Sequence, residues 1–366
     1  MKVFFAPDYR QGVAYQALLA GALAELGVEV TFPRGHRRGL PLWRGIDGWY
    51  GDLLHLHWPE KFFEVRRDGF DFWRKVRYPF DLALTRRRLP IVLTAHDFRP
   101  HNRAGEALLR RNFQRTYDTA GAVIVHSAKA GEAVRAAYRV EPGRIHVIPH
   151  GDLSVSLSPT PAPLESAGSN ATPLPSRTDA RLALRINPEE RVCLMFGTVE
   201  PYKGLEPVLN WWRAGNPGAT LAVAGKPFTQ EYASAIRSHA GRSPKIRLDL
   251  AWQSDSALKR WLAAADCVLF DYQAVFTSGS ACLARSLGIP ILIPRRLDTV
   301  DLGEPHPLVF RFDTLETDFH TALESALSAS PDYPSAQPWR QTTAWPRIAE
   351  QTARVYQSVA QPAANA

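Results

Sequence analysis

Two loops in the second half of the chain carry residues that could bind a phosphate group. The first, residues 197–205, follows the apolar run Val192–Phe196 and places Lys203 at the expected start of a helix. The free N–H groups and the dipole of a helix N-terminus attract anions, and a lysine adds a mobile positive charge. A solvated lysine beside a turn glycine has the same pattern, so this loop needs support from a second one.

The second loop, residues 271–280, lies between an apolar run that ends at Phe270 and a predicted helix that runs to Leu287. A single hydroxyl is sufficient to cap a helix. Here three hydroxyls surround one glycine, at Thr277, Ser278, Gly279 and Ser280. This number exceeds what capping requires and predicts a second anion site.

Polar residues follow two apolar runs of the first half of the chain. The segments are LHLHWPE at 54–60 and TAHDFRPH at 94–101. In an open α/β sheet, ligands bind beyond the carboxyl ends of the strands. We therefore expect one polar rim that contains His57, Glu60, His96 and Asp97.

The pair His55 and His57 also allows a different class of protein, a metal-dependent hydrolase. Two histidines that alternate along one strand can bind the same metal ion. The remaining ligands would be His126, His150 and Asp271. Such a site needs a single eight-stranded barrel, whereas a Pro- and Ser-rich segment after residue 153 interrupts the pattern. The metal content of the purified protein distinguishes this alternative.

The elements that position these residues alternate between short apolar strands and amphipathic helices in both halves. Alternation of this kind predicts parallel sheets covered by helices on both faces, hence an α/β fold with two Rossmann-like domains. The expected organisation is a first domain over 1–155, a Pro- and Ser-rich linker over 156–178, a second domain over 179–335, and a C-terminal helix over 336–366 that crosses back to the first domain.

Composition narrows the class of protein further. The chain has 366 residues, 45% of them hydrophobic, and no apolar stretch near the ~20 residues that span a bilayer. Its three cysteines lie in apolar runs without metal-ligand or redox spacing, which is typical of a reducing compartment. We therefore expect a cytoplasmic protein whose membrane contacts, if it has any, are peripheral.

The net charge of +8 is concentrated in the first half, where residues 1–150 carry 24 Lys and Arg against 15 Asp and Glu. Within it, residues 61–88 mix nine basic with four acidic residues and seven aromatic ones. This mixture suits an anionic membrane surface better than nucleic acid, although a helix with inward-packed aromatics has the same composition. The membrane-facing candidates are Arg66, Arg67, Trp73, Arg74 and Lys75.

Several motifs together resemble a known family. GTVEPYKGL at 197–205 and SLGIPILIP at 286–294 resemble the GT-B glycosyltransferases of the family 4 type. HLHWPE, PYKG and DYQ followed by TSGS are similar to the bacterial exopolysaccharide β-mannosyltransferases of family 94, the xanthan type. The resemblance implies a GT-B fold with an interdomain cleft, GDP-mannose as the donor, and a lipid-diphosphate-linked oligosaccharide at the inner membrane face as the acceptor.

Three departures from the family 4 pattern indicate the stereochemical outcome. Retaining members carry two glutamates where this chain has Val275 and Leu283, and an arginine where it has Thr198. These losses favour an inverting mechanism that uses no metal, in which Lys203 carries more of the diphosphate charge. Two other proteins with this fold remain open: a nucleotide-sugar epimerase, which needs no acceptor, and a scaffold that has lost its site.

The resemblance also assigns roles to residues. The donor would be bound by Thr198, Lys203, Gly204, Gly225, Lys226, Tyr272, Thr277, Ser278, Gly279 and Ser280. The acceptor would be bound by Gly12, His57, Trp58, Arg99 and His101. An inverting displacement needs one general base, for which the candidates are Asp97, Glu60 and His96.

Overall fold

The computed structural model describes residues 1–12, 14–33, 39–63, 71–96, 106–157, 174–215, 217–273 and 275–360. The chain forms two compact units. The first comprises Met1–Gly151 together with the C-terminal residues from Thr343, and the second comprises Asp152–Thr342. The boundary lies four residues before the expected one at 155.

The first unit is built on a six-stranded parallel sheet in the order β2-β1-β3-β4-β5-β6. The strands are β1 (Lys2–Ala6), β2 (Glu29–Thr31), β3 (Leu53–His57), β4 (Ile91–Thr94), β5 (Ala122–Val125) and β6 (Ile145–Val147). All residues of the central strands β3, β4 and β5 are buried, as expected for strands covered on both faces. Among the described residues of Met1–Gly151, the helices that cover the sheet are α1 (Ala14–Glu25), α2 (Pro41–Gly45), α3 (Asp71–Arg88), α4 (Glu106–Thr119) and α5 (Ala128–Ala137).

The second unit contains another six-stranded parallel sheet, in the order β12-β11-β10-β7-β8-β9. Its strands are β7 (Val192–Phe196), β8 (Thr220–Ala224), β9 (Ile246–Asp249), β10 (Cys267–Leu269), β11 (Ile291–Pro294) and β12 (Val309–Phe312). Counted within the unit, this is the order 3-2-1-4-5-6 of dinucleotide-binding domains. The order reverses between β7 and β10, which is where such sheets bind ligands.

Seven helices of the described residues surround this second sheet. They are α6 (Arg177–Leu184), α7 (Leu205–Ala214), α8 (Gln230–Ala240), α9 (Asp255–Ala264), α10 (Gly279–Ser286), α11 (Phe319–Ser328) and α12 (Gln337–Thr342). Helix α12 belongs to the second unit, although the sequence analysis grouped its residues with the C-terminal helix.

The last described helix, α13 (Trp345–Ala360), belongs to the first unit and packs against α1. The hydroxyl of its Tyr356 lies 2.6 Å from Nδ1 of His55 in strand β3. A Cβ atom on Gly121 would stand 2.8 Å from a methyl carbon of Val359, so the glycine makes room for the helix. The first unit is therefore assembled from both ends of the chain.

The two open sheets rule out the eight-stranded barrel that the hydrolase alternative requires. Nε2 of His55 lies 2.7 Å from the hydroxyl of Thr94, so both of its ring nitrogens have hydrogen-bond partners inside the protein. Within the described residues, no group of three or more His, Cys, Asp or Glu side chains could hold a metal ion. Nor does any described helix have the length and apolar character needed to cross a bilayer.

Candidate functional site

The two predicted anion loops lie side by side at the reversal point of the second sheet. Gly204 begins α7 with a positive φ of 70°, and a Cβ there would overlap the carbonyl oxygen of Asp271. Gly225, at the end of β8, similarly makes room for the carbonyl of Gly197. Because these two glycines lack side chains, the backbones after β7, β8 and β10 pack closely together.

Lys203 points into the space beside Gly197. A Cβ placed on Gly197 would lie 3.2 Å from Nζ of Lys203 and 3.6 Å from Oγ of Ser280, so both polar atoms border the volume that the glycine leaves open. Nζ also lies 5.7 Å from the ring centroid of Tyr272. Lys203 forms no salt bridge within the described residues, and its burial lowers the pKa of the ammonium group to about 8. The nearby charge of Glu200 offsets part of this lowering. A half-buried cation with so little compensation favours a bound anion.

The loop after β10 forms the opposite side of this space. Ser278 caps α10, because its Oγ accepts a hydrogen bond from the N–H of Ala281 at 3.1 Å. The buried Oγ1 of Thr277 has no hydrogen-bond partner among the described residues. The hydroxyls of Ser278 and Ser280 lie close to the phenol of Tyr272, whose pKa is raised to about 12 mainly by burial. One hydroxyl therefore caps the helix, while others border the open space.

Arg296 holds this second loop in place, and the sequence analysis did not identify it. Its Nη2 lies 2.5 Å from Oδ1 of Asp271 and 3.1 Å from the carbonyl of Tyr272. Burial raises the pKa of Asp271, and the ion pair with Arg296 opposes that effect. The sequence signal for Arg296 was only the Arg-Arg pair after β11, and pairs of basic residues are common on protein surfaces without any such role.

The predicted donor residues divide into three groups. Lys203, Gly204, Tyr272, Thr277, Ser278, Gly279 and Ser280 lie in the two adjoining loops. Thr198, at the start of the first loop, and Lys226 are exposed, and the N–H of Val199 donates to the carbonyl of Lys226 at 2.9 Å. Gly225, at the end of β8, packs against the carbonyl of Gly197.

The polar rim of the first unit is a cluster of buried histidines. His57 ends β3, and His96, His126 and His150 follow β4, β5 and β6. The ring centroids of all four lie within 4.9–6.0 Å of the ring centroid of Tyr15 in α1. Burial lowers the pKa of each imidazole, that of His150 to about 4 and that of His126 to about 3, and neighbouring imidazoles add to the lowering at His57, His96 and His126. The cluster is therefore uncharged at neutral pH.

Three of these rings form a continuous hydrogen-bonded series, which we call the histidine chain. Nδ1 of His57 lies 3.1 Å from Nε2 of His96, and Nδ1 of His96 lies 3.4 Å from Nε2 of His126. Nδ1 of His126 lies 3.0 Å from the carbonyl oxygen of Ile148. Both ring nitrogens of His96 are therefore engaged within the protein, which weighs against His96 as the general base.

The other predicted residues of the first unit have different surroundings. Trp58 stacks on His96 with 4.0 Å between ring centroids and has a left-handed φ of 45°. Glu60 is buried in a short 3-10 helix, Pro59–Phe62, and Gly12 lies in the exposed loop after β1. Five predicted residues lie outside the described part of the chain: Asp97, Arg99, His101, Arg66 and Arg67.

Helix α3 presents an exposed apolar face. Trp73, Val76 and Phe80 are 66%, 46% and 60% exposed and recur at helical spacing. Arg74 and Arg77 are partly exposed beside them, whereas Lys75 is only 8% exposed. The prediction that Lys75 faces a membrane is therefore wrong, because it lies on the buried side of α3 near Tyr78.

Comparisons with known proteins place this geometry in a family context. Residues 5–152 match Glycosyltransferase Family 4. A "GDP-mannose:glycolipid 4-beta-D-mannosyltransferase" of Xanthomonas campestris is 27% identical over 316 residues, which cover 83% of this chain and 79% of that protein.

Solved structures share the fold over nearly the whole chain. HepE of Anabaena, solved with UDP and glucose, has a TM-score of 0.69 and 17% identity, with 98% of this chain and 99% of that one covered. WaaG, a glycosyltransferase of lipopolysaccharide biosynthesis, has a TM-score of 0.60 and 12% identity, with 98% and 100% covered. The resemblance and the fold predicted from the sequence are confirmed. The chain is a glycosyltransferase with the GT-B fold, and its residues 5–152 match Glycosyltransferase Family 4.

Proposed function

We propose that this glycosyltransferase transfers mannose from GDP-mannose to a lipid-diphosphate-linked saccharide, with inversion at the anomeric carbon. The names of the Xanthomonas relatives support the donor and the glycolipid acceptor. The absence of both glutamates at Val275 and Leu283 supports inversion. Assembly of a bacterial exopolysaccharide is the expected setting.

The observation that carries the proposal is the position of Lys203 beside Gly197 and Ser280, where it forms no salt bridge with any described residue. As the bond to the sugar breaks, negative charge develops on the departing diphosphate. A cation and a helix start that are already positioned there stabilise this charge most in the transition state. The proposal assigns this role to Lys203 and the start of α10 rather than to a metal ion.

A transfer assay tests the donor and the acceptor together. Purified protein is incubated with radiolabelled GDP-mannose and a synthetic alkyl-diphosphate oligosaccharide, and the products are separated and analysed by NMR for the anomeric configuration. We expect a β-linked mannose and no free epimerised sugar. Free mannose or its epimer without an acceptor product would instead indicate an epimerase, and full activity in EDTA is expected for the metal-free route.

Lys203→Ala is the first variant to measure. We expect transfer to fall by about 10²–10³, since one electrostatic contact to the developing charge is removed. Lys245→Ala is the matched control, because Lys245 is exposed immediately before β9 and lies outside the predicted donor residues. Equal turnover by Lys203→Ala and the wild type would remove Lys203 from the mechanism.

We further propose that α3 places the first unit on the inner face of the cytoplasmic membrane. The exposed Trp73, Val76 and Phe80 would enter the headgroup region while the adjacent arginines contact anionic lipids. Co-sedimentation with phosphatidylglycerol vesicles tests this, with Phe80→Glu expected to weaken binding and the exposed Phe228→Glu in the second unit as control. Equal loss in both variants, or no loss, would contradict this orientation.

A further inference from the structure

The histidine chain can adopt one arrangement of protons, and that arrangement follows from its inner end. The carbonyl oxygen of Ile148 can only accept a hydrogen bond, so Nδ1 of His126 must carry the hydrogen. Neutral His126 then has a lone pair on Nε2, to which Nδ1–H of His96 donates. Neutral His96 likewise accepts from Nδ1–H of His57.

The outer end of the chain is therefore an unprotonated nitrogen. With its hydrogen on Nδ1, neutral His57 has a lone pair on Nε2. This Nε2 atom is buried and has no hydrogen-bond partner among the described residues. A hydrogen-bond acceptor left unsatisfied inside a protein costs free energy, so each such atom calls for an explanation. For Nε2 of His57, a hydrogen bond from a bound ligand would recover that free energy.

We infer that His57 Nε2 is the hydrogen-bond acceptor for a hydroxyl group of the acceptor saccharide. The identity of the saccharide rests on the proposed function, whereas the lone pair rests on the geometry of the first unit. A hydroxyl is the group that fits, since it can donate to a neutral nitrogen while remaining uncharged. His96 and His126 are positioning residues, because they fix the tautomer of His57 without contacting the ligand.

His57 is fully buried, so a neighbour must move to admit the ligand. Trp58 follows His57 directly, its ring centroid lies 5.8 Å from that of His57, and its left-handed backbone is uncommon for a bulky residue, so the inference takes Trp58 as the side chain that moves.

The tautomers can be measured without any turnover. The full chain is labelled with ¹⁵N-histidine, and two-bond ¹H–¹⁵N spectra are recorded at neutral pH, with assignments from single histidine variants. We expect His57, His96 and His126 all to carry hydrogen on Nδ1. A hydrogen on Nε2 of His57, or a charged His57, would overturn the inference whatever reaction the protein catalyses.

Two variants of His126 separate positioning from simple support of the fold. His126→Gln keeps a carbonyl oxygen that can accept from His96, so we expect the tautomer of His57 and the KM for the acceptor to stay near wild type. His126→Leu removes that acceptor and lets the chain reverse, which puts hydrogen on Nε2 of His57. We expect the KM for the alkyl-diphosphate oligosaccharide to rise about tenfold and the KM for GDP-mannose to stay constant.

The outcomes keep the two proposals apart. If the wild type transfers mannose and His126→Leu has an unchanged acceptor KM, the role of His57 is refuted while the proposed function stands. If the wild type transfers no mannose but the spectra show the expected tautomers, the saccharide is wrong and the preset acceptor nitrogen remains. His55→Gln is the control for burial, because His55 already has partners on both nitrogens and should change stability alone.

Discussion

The lowered pKa of Lys203 predicts that donor binding weakens within an accessible pH range. The pKa of an ordinary lysine is 10.5, whereas that of Lys203 is about 8 in the protein without donor. This lowering of the pKa corresponds to about 3 kcal/mol, the net of burial of the ammonium group and the opposing charge of Glu200. A diphosphate restores a favourable environment for the charge, so binding favours protonated Lys203.

The magnitude follows from the fraction of protonated lysine. With a pKa of about 8, about nine tenths of Lys203 is charged at pH 7 and about one tenth at pH 9. If only the charged form binds GDP, the Kd rises about tenfold between these values. A lysine with an ordinary pKa would give almost no change over the same range.

Isothermal titration calorimetry with GDP at pH 7, 8 and 9 is the appropriate measurement. Guanine itself begins to titrate near the upper end, so Lys203→Arg serves as the control: arginine stays charged throughout, and any remaining pH dependence belongs to the nucleotide. A Kd for the wild type that follows the Lys203→Arg curve from pH 7 to 9 would refute the reasoning.

Three further changes test the packing around the donor loops. Lys203→Met should raise the thermal midpoint at pH 7, since the folded state then no longer holds a poorly solvated charge; unchanged or lower stability would count against the buried cation. Gly225→Ala should destabilise the protein by about 1–3 kcal/mol through overlap with the neighbouring backbone, whereas Gly21→Ala, in an open helical position, should stabilise it by about 0.5–1 kcal/mol. Arg296→Leu should cost about 2 kcal/mol by denaturant unfolding and should be partly rescued by Asp271→Asn, because the lone carboxylate is then neutral; additive losses would contradict the pairing.

Much of the fold could be predicted because the strands have a strong local signal. The run Leu53–His57 has leucines at three of its five positions and lies between Asp52 and Trp58-Pro59, and the structure places β3 at those residues. Strand β12 and helix α11 were not predicted. The segment Val309–Phe312 includes an arginine, and three of its four residues are only partly buried, so its sequence resembles that of a surface segment. Parallel pairing with β11, a long-range contact, determines that strand.

The candidate site was predictable where a motif marks a backbone feature, and less so where side chains meet in space. The glycines and hydroxyls of the two loops could be found because helix starts and tight turns select those residue types. The pairing of Arg296 with Asp271 spans 25 positions, and no spacing rule connects them. Lys75 was misplaced because composition gives the charge of a helix but not which of its faces packs inward.

The return of α13 to the first unit has a consequence for how the protein is made. A ribosome synthesises Met1–Gly151 early, yet the partner of His55, Tyr356, and the side chain that covers Gly151, Trp345, emerge only after the whole second unit. The strands of the first sheet are thus made first, but the helix α13 that packs on this unit is made last. Removal of the residues from Trp345 onward should therefore destabilise the first unit, including the strands made earliest, and leave the second unit folded.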